Sequence, residues 1–392
     1  MRLWKRAAGA LKDRNSIWMA SISRRTPYRN PDLEAVVIKA TSHDESYVDY
    51  KNAQRVFQWV RTSAIYLRPL MWALSMRMEN TRSWAVALKG LMLMHGVFHC
   101  KTQAVQMIGR LPFDLSNFRD GHSNIGKTWG YNAFIRAYFL FLDQKSAFMA
   151  SEMKLQKGSI RETEEPFTEE LTRLQKWQSL LDVLLQIKPP AECMIVTLIL
   201  EAMECVVVEI FEVYSRVCSG IAQALLKVYE AGGKADAEIA LKVLQKARVQ
   251  GEELATYFEF CREIGVINAS EFPKVEQIPD EDIRDLERII NNGVFKGKNL
   301  DSNGMQPEDK AIVLKESGAI VEGRKSSRAL KTIITEKWEV FEEDLKFNGV
   351  GNSSDITTTA AREDTPHYYT PTLTALPLLL ASNPFIQDLI SL

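Results

Sequence analysis

Through most of the first 290 positions of this 392-residue chain, apolar residues recur at three- and four-residue spacing. That spacing gathers them on one face of a 3.6-residue helix. It predicts helices over 51–78, 83–109, 131–154, 167–187, 191–229, 235–264 and 280–292. The intervals between them hold turn chemistry: Glu79-Asn80-Thr81, Leu111-Pro112, the Gly/Asn-rich 121–130, Pro189-Pro190, Gly232-Gly233 and Phe272-Pro273. No alternating run closes on a hairpin signal, and no strand–helix–strand rhythm is present. The expected class is all-α.

From about residue 293 the pattern stops. "GKNLDSNGMQPEDK" and "NGVGNSSDITTTAARED" are rich in Gly, Asn, Ser and Thr, with only short apolar clusters around them. Such a segment buries too little surface to offset chain entropy. The expectation is a helical domain over 1–292 and a largely disordered tail over 293–392.

Composition narrows the options. The formal net charge is -1, so no global basic field points to nucleic acid. The five cysteines are widely spaced with no C-x-x-C, which argues against a disulfide framework or a structural zinc site and fits a reducing cytosol. The opening residues are charged too early and too often for a signal peptide. The most apolar stretch, 193–211, carries Glu201, Glu204 and Glu209, so a buried helix is expected there rather than a membrane span.

Charge is uneven, however. Among the first 31 residues Arg2, Lys5, Arg6, Lys12, Arg14, Arg24, Arg25 and Arg29 face a single acid, Asp13. On a helix drawn through 2–12, Leu3, Trp4, Ala7, Ala8 and Leu11 share one side, with cations at its flanks. A Trp-bearing amphipathic helix with basic edges suits an anionic membrane surface. An ordinary first helix whose apolar side packs on the domain has the same pattern, and both readings stay open.

Candidate chemistry is thin. "GHSNIGKT" at 121–128 spells a phosphate-binding P-loop, and "YFLFLD" at 138–143, ending in Asp143, mimics the strand that would hold its magnesium. A P-loop needs a buried strand before it and a helix after it, so that backbone amides converge on phosphate. The preceding "RLPFDLSNFRD" is a turn and a short polar segment, so a solvated loop before the helix is the preferred reading and nucleotide binding a remote alternative. His95 and His99 lie four apart on one apolar face beside Cys100. Two ligands without a third are a weak zinc signal, and satisfied core or groove histidines are expected instead. No nucleophile motif accompanies them, and no catalytic residue is assigned.

Several blocks in order resemble one family. "GALKD" at 9–13, "VIKATSHDE" at 37–45, "SWAVALKGLMLMH" at 83–95, "FDLSNFRD" at 113–120 and "YNAFIRAYFLFLDQK" at 131–145 are similar to the ANTH domain of clathrin assembly proteins, nearest the plant CALM-like branch. The resemblance covers roughly 1–290. It implies a superhelical α-solenoid of the ENTH/ANTH kind that is not an enzyme and needs no cofactor. It further implies binding to phosphatidylinositol 4,5-bisphosphate membrane, a tail that recruits clathrin heavy chain and the clathrin adaptor complex, and sorting of R-SNARE helices. The expected location is cytoplasmic, on plasma-membrane coated pits and vesicles, with the Golgi as a second compartment.

The family's lipid site uses a lysine in "KAT", matched by Lys39, and then a basic cluster closing on His or Tyr. Here "HDESYVDY" puts Asp44, Glu45 and Ser46 where lysines are expected, and Tyr47 alone could stand for the closing residue. Lipid binding is therefore expected to be weakened or less selective. Its ligands would be Lys12, Lys39, His43 and Tyr47, with Arg2, Lys5 and Arg6. A helical module that holds SNAREs or cargo and scarcely touches lipid is the alternative. Three tail motifs resemble peptide ligands: Asn383-Pro384-Phe385 those of EH domains, Leu389-Ile390-Ser391-Leu392 a clathrin box without its closing acid (Leu389, Ile390 and Leu392 as the apolar contacts), and Trp338 with Phe341 those of adaptor appendages.

Overall fold

The computed structural model describes residues 2–158, 167–231, 233–266, 275 and 280–292. Eleven α-helices are formed among them: α1 (Arg2–Ser21), α2 (Pro31–Ala40), α3 (Tyr50–Thr62), α4 (Leu67–Glu79), α5 (Trp84–Phe98), α6 (Gln103–Gln106), α7 (Ile125–Gly158), α8 (Phe167–Leu185), α9 (Thr197–Ala231), α10 (Lys234–Glu263) and α11 (Asp280–Asn292). No strand occurs among the described residues. Sequential helices pack on one another from α1–α2 through α7–α8–α9 to α10–α11, which makes an α-solenoid.

The stack is organised around α5. All fifteen of its residues are buried. A helix that is apolar on every side must be surrounded, and α2, α3, α4, α7 and α9 surround this one. Close approach is built in at Gly90, where a Cβ would lie 2.2 Å from Met78 Sδ. One hydrophobic cluster runs from Leu33 on α2 to Val266 after α10. A second fills the far end, where Leu286 and Ile289 of α11 meet Val217–Val228 of α9 and Ala237–Ala247 of α10.

Several boundaries differ from the sequence pattern. The expected 51–78 helix is two, because Ser63 is extended (φ -159°, ψ 134°) and turns its hydroxyl to the Ile65 amide. The expected 83–109 helix ends at Phe98, and Lys101 takes φ 50° before the short α6. Helix α2 was not anticipated, although its start is chemically explicit: the Asn30 side chain accepts from the Asp32 and Leu33 amides, and Pro31 opens the helix. Ten residues are too few for periodicity alone to single it out. The apolar 193–211 segment is helical only from Thr197, after a 3₁₀ turn at Glu192–Met194. No helix among the described residues is long and apolar enough to cross a membrane.

Residues 121–130 are not all loop, because α7 begins at Ile125. The Asn124 carbonyl accepts from the Lys127 and Thr128 amides, at 2.9 and 3.0 Å. Gly130 serves close packing rather than a turn, since a Cβ there would meet Met194 Sδ at 2.1 Å. No strand precedes this turn. The amides a phosphate would need already have a carboxylate: Asp120 accepts from Ser123 N at 2.8 Å and His122 N at 3.4 Å. Asp143 sits within α7, where it accepts from the Leu111 amide at 3.0 Å and pairs with Arg110. The P-loop spelling thus encodes a carboxylate-held turn that leads into a helix.

Candidate functional site

Helix α1 lies along α2 and meets it with small and polar residues. Gly9, Asp13 and Ala20 are buried there, and a Cβ on Gly9 would come within 2.7 Å of His43 Cβ. The opposite side is apolar and open. Trp4 is 82% exposed, Leu11 69% and Trp18 57%. At about 100° per residue these three point within roughly 40° of one another, and about 180° away from the docked side. As for the two readings left open, this leaves the apolar side uncovered by the described residues. Lys12 and Arg14 flank the stripe on either side. Arg2 and Lys5 also belong to α1, but their side chains lie outside the described residues.

The loop after α2 is fixed from several directions. Asp13 accepts from the His43 amide at 2.8 Å, contacts His43 Nδ1 at 2.7 Å and accepts from Arg77 Nη2 at 2.6 Å. Burial raises this carboxyl, but His43 and Arg77 outweigh it and hold it below the usual range. Arg77 also donates to the Thr41 carbonyl, at 2.8 Å. Beneath the loop, buried Lys89 of α5 donates to the Asp44 carbonyl at 2.6 Å, Ser42 Oγ at 3.1 Å and the Ser42 carbonyl at 3.3 Å. Burial pushes its ammonium down to about 8, against the pull of Asp44 and Asp13.

This arrangement sorts the expected lipid ligands. His43 is largely enclosed and engaged by Asp13. Arg6 reaches Asp44 at 3.3 Å, so the acid expected to repel phosphate is paired, and it occupies one expected cation. Tyr47 is exposed, its ring 5.5 Å from Lys89 Nζ. Lys39 is exposed near the end of α2, and Lys12 is exposed on α1. Of the five whose side chains are described, only Lys12 and His43 line a common groove. Trp338, Phe341, Asn383–Phe385 and Leu389–Leu392 lie outside the described residues.

An open groove of about 670 Å³ does bring charges together. It lies between α1, α2, α4 and the turns around Arg82 and His122, with Lys12, His43 and Arg77 also on its wall. Lys12 Nζ is 3.4 Å from His122 Nε2, and His122 Nδ1–H donates to the Arg82 carbonyl at 2.9 Å. Arg82 and His122 were missed in the sequence. They are forty residues apart, and neither belongs to a charged run; only the fold brings both to Lys12.

Elsewhere the structure places a buried polar cluster. Glu209 of α9 contacts His95 Nε2 at 3.0 Å and His99 Nε2 at 3.5 Å, and accepts from Lys145 Nζ at 2.6 Å. His95 Nδ1 is 2.7 Å from the Tyr138 hydroxyl. His95, His99 and Glu209 offer three ligand atoms within 4.8 Å, so the third ligand absent from the local sequence exists in space. Lys145 already brings the positive charge to that carboxylate. The histidines are core residues of an ion-pair network joining α5, α7 and α9.

Residues 32–292 match the ANTH domain. The chain is 52% identical to "Putative clathrin assembly protein At1g25240" of Arabidopsis thaliana, across 88% of this chain and 89% of that protein. It is 47% identical to "Putative clathrin assembly protein At1g68110", also over 88% and 89%, and 44% identical to "Putative clathrin assembly protein At1g14686" over 74% and 82%, both from the same plant. With the helical stack from α2 to α11 inside the matched range, the chain belongs to the ANTH-domain family of clathrin assembly proteins.

Proposed function

We propose that this chain is a non-enzymatic adaptor that joins a phosphoinositide-bearing membrane to the clathrin coat. One observation carries the membrane half: α1 holds Trp4, Leu11 and Trp18 in an outward line with cations beside it. Leaving such a line in water is unfavourable, and a headgroup layer accepts both its aromatic rings and its charges. Each cation near an anionic surface adds about 1 kcal/mol, reduced by salt. The coat half rests on the family. Clathrin heavy chain, the adaptor complex and EH-domain proteins would be gripped through 293–392, by the peptides around Trp338, Phe385 and Leu389. Weak single grips sum when many copies sit on one coat.

The test is sedimentation of the full chain with vesicles of graded phosphoinositide content at two salt concentrations. Binding to acidic vesicles that weakens with salt, and about tenfold or more with Trp4→Ser/Leu11→Ser, is the expected result. A chain that ignores acidic vesicles in dilute buffer defeats the membrane half. For the tail, Phe385→Ala should abolish capture of an EH domain, and Leu389→Ala with Leu392→Ala capture of the clathrin terminal domain.

A second reading has its own support. Arg6 and His43 are held by Asp44 and Asp13 rather than offered to a ligand. A module that chiefly holds an R-SNARE or cargo helix, with weak lipid contact, would tolerate that. It predicts SNARE-helix binding undiminished by the Trp4→Ser/Leu11→Ser pair.

A further inference from the structure

We propose that residues 334–345 of this same chain dock along the apolar side of α1 and cover it until an acidic membrane takes their place. The inference rests on the membrane reading above and adds to it a competitor for the same surface.

The surface has a definite shape and charge. Trp4, Leu11 and Trp18 stand along it, and the exposed Ala7 and Ala8 occupy the turn between Trp4 and Leu11. Large side chains separated by small ones accept the ridges of a second helix. Lys12 and Arg14 stand on opposite flanks, both exposed. Asp13, the one acid of α1, is buried on the docked side and held by His43 and Arg77, so it does not offset them.

The segment "ITEKWEVFEEDL" at 334–345 carries the matching pattern. Wound as a helix, Ile334, Trp338, Phe341 and Leu345 recur at intervals of four, three and four, and share one face within about 60°. That row is about 17 Å long and fits within the span from Trp4 to Trp18. Glu342 and Asp344 fall on opposite flanks of the same face, so an acid meets a cation on each side of the contact. Across the segment Glu336, Glu339, Glu342, Glu343 and Asp344 stand against Lys337 alone. A dozen residues make a marginal helix by themselves in water. Laid on α1, the segment would remove apolar surface from water on both partners, the way an amphipathic helix enters a groove.

The chain is long enough to allow this. Residues 293–333 separate α11 from the segment, and at about 3.3 Å per residue they span roughly 135 Å when extended. Ten packing steps of about 8–10 Å from α11 back to α1 come to about 100 Å at most. A tethered segment meets its surface at an effective concentration of up to about 1 mM, so a weak contact suffices. An acidic bilayer offers the stripe both charge and apolar depth and displaces a contact of that strength. Trp338 and Phe341 would then be free for a coat protein only where the chain already sits on membrane.

Benzoylphenylalanine is placed at Phe341 of the full chain, and a mixture of isotope-labelled and unlabelled chains is irradiated without lipid. Mass spectrometry should find the cross-link within one chain and on residues 4–18. Trp4→Ser/Leu11→Ser should abolish it. Ile65→Ser, at an exposed apolar residue between α3 and α4, should leave it unchanged. Phosphatidylserine vesicles should compete the cross-link away, and phosphatidylcholine vesicles should not. In sedimentation, Trp338→Ser/Phe341→Ser alters no charge and should raise binding to phosphatidylserine vesicles about threefold or more. A cross-link that forms between chains, lands outside α1 or survives Trp4→Ser/Leu11→Ser overturns the docking. Vesicle binding that is present but unchanged by Trp338→Ser/Phe341→Ser overturns it too. A cross-link confined to α1, in chains that ignore acidic vesicles with or without Trp338→Ser/Phe341→Ser, overturns the membrane reading instead and leaves the docking in place.

Discussion

Glu209 shows how much one residue can hold. Burial alone would raise its carboxyl, yet Lys145 and the two imidazoles keep it well below the usual range. Glu209→Gln would leave the Lys145 ammonium enclosed without its counter-charge. The expected loss is about 3–5 kcal/mol in urea unfolding. Lys145→Met combined with Glu209→Leu should recover most of it, since replacing a buried pair by apolar groups is often neutral. The histidines set a pH dependence. Burial holds both below their ordinary value, and for His99 the nearby Lys145 adds to the effect. An imidazole that stays neutral when folded but binds a proton when unfolded removes stability as pH falls below about 6.5. By pH 5 each would remove up to about 2 kcal/mol, and Glu209 adds its own loss only at lower pH. Melting curves at pH 7 and 5 check this. His99→Asn should flatten the difference, and equal melting temperatures for the native chain would contradict it.

At the scale of the element, α1 is the informative helix. Its docked side is small and polar, and its large residues point away from the domain, the reverse of an ordinary surface helix. The sequence shows the stripe but not its direction, because an amphipathic pattern is the same whether its apolar face meets protein or lipid. Gly9 decides how closely α1 can lie against the loop at His43. Gly9→Val should therefore loosen α1. Hydrogen exchange should rise across 2–21 and stay unchanged in α5. Slow exchange retained in α1 of that variant would show that Gly9 is not what seats it. Helix α2 teaches the complementary lesson: Asn30 and Pro31 announced it, but its ten residues were too short a window for spacing to reveal.

Across the whole molecule, the all-α class and most helix positions were legible because α7, α8, α9 and α10 are long and turn residues separate them. The front end was less so. Its helices are short, broken at Ser63 and Lys101 by local backbone geometry, and its charges meet across large sequence distances. Lys12 and His122 are 110 positions apart, as are, nearly, His95 and Glu209 at 114. The residues read from linear motifs, Lys39 and Tyr47, are exposed but scattered; those that gather in space carry no motif.

A body resting on a line is free to roll about it. The row from Trp4 to Trp18 is such a line, about 21 Å long, and the pit holding Lys12 lies to one side of it. A second contact to one side of that row would remove the rotation. Every copy on a patch of bilayer would then face the same way.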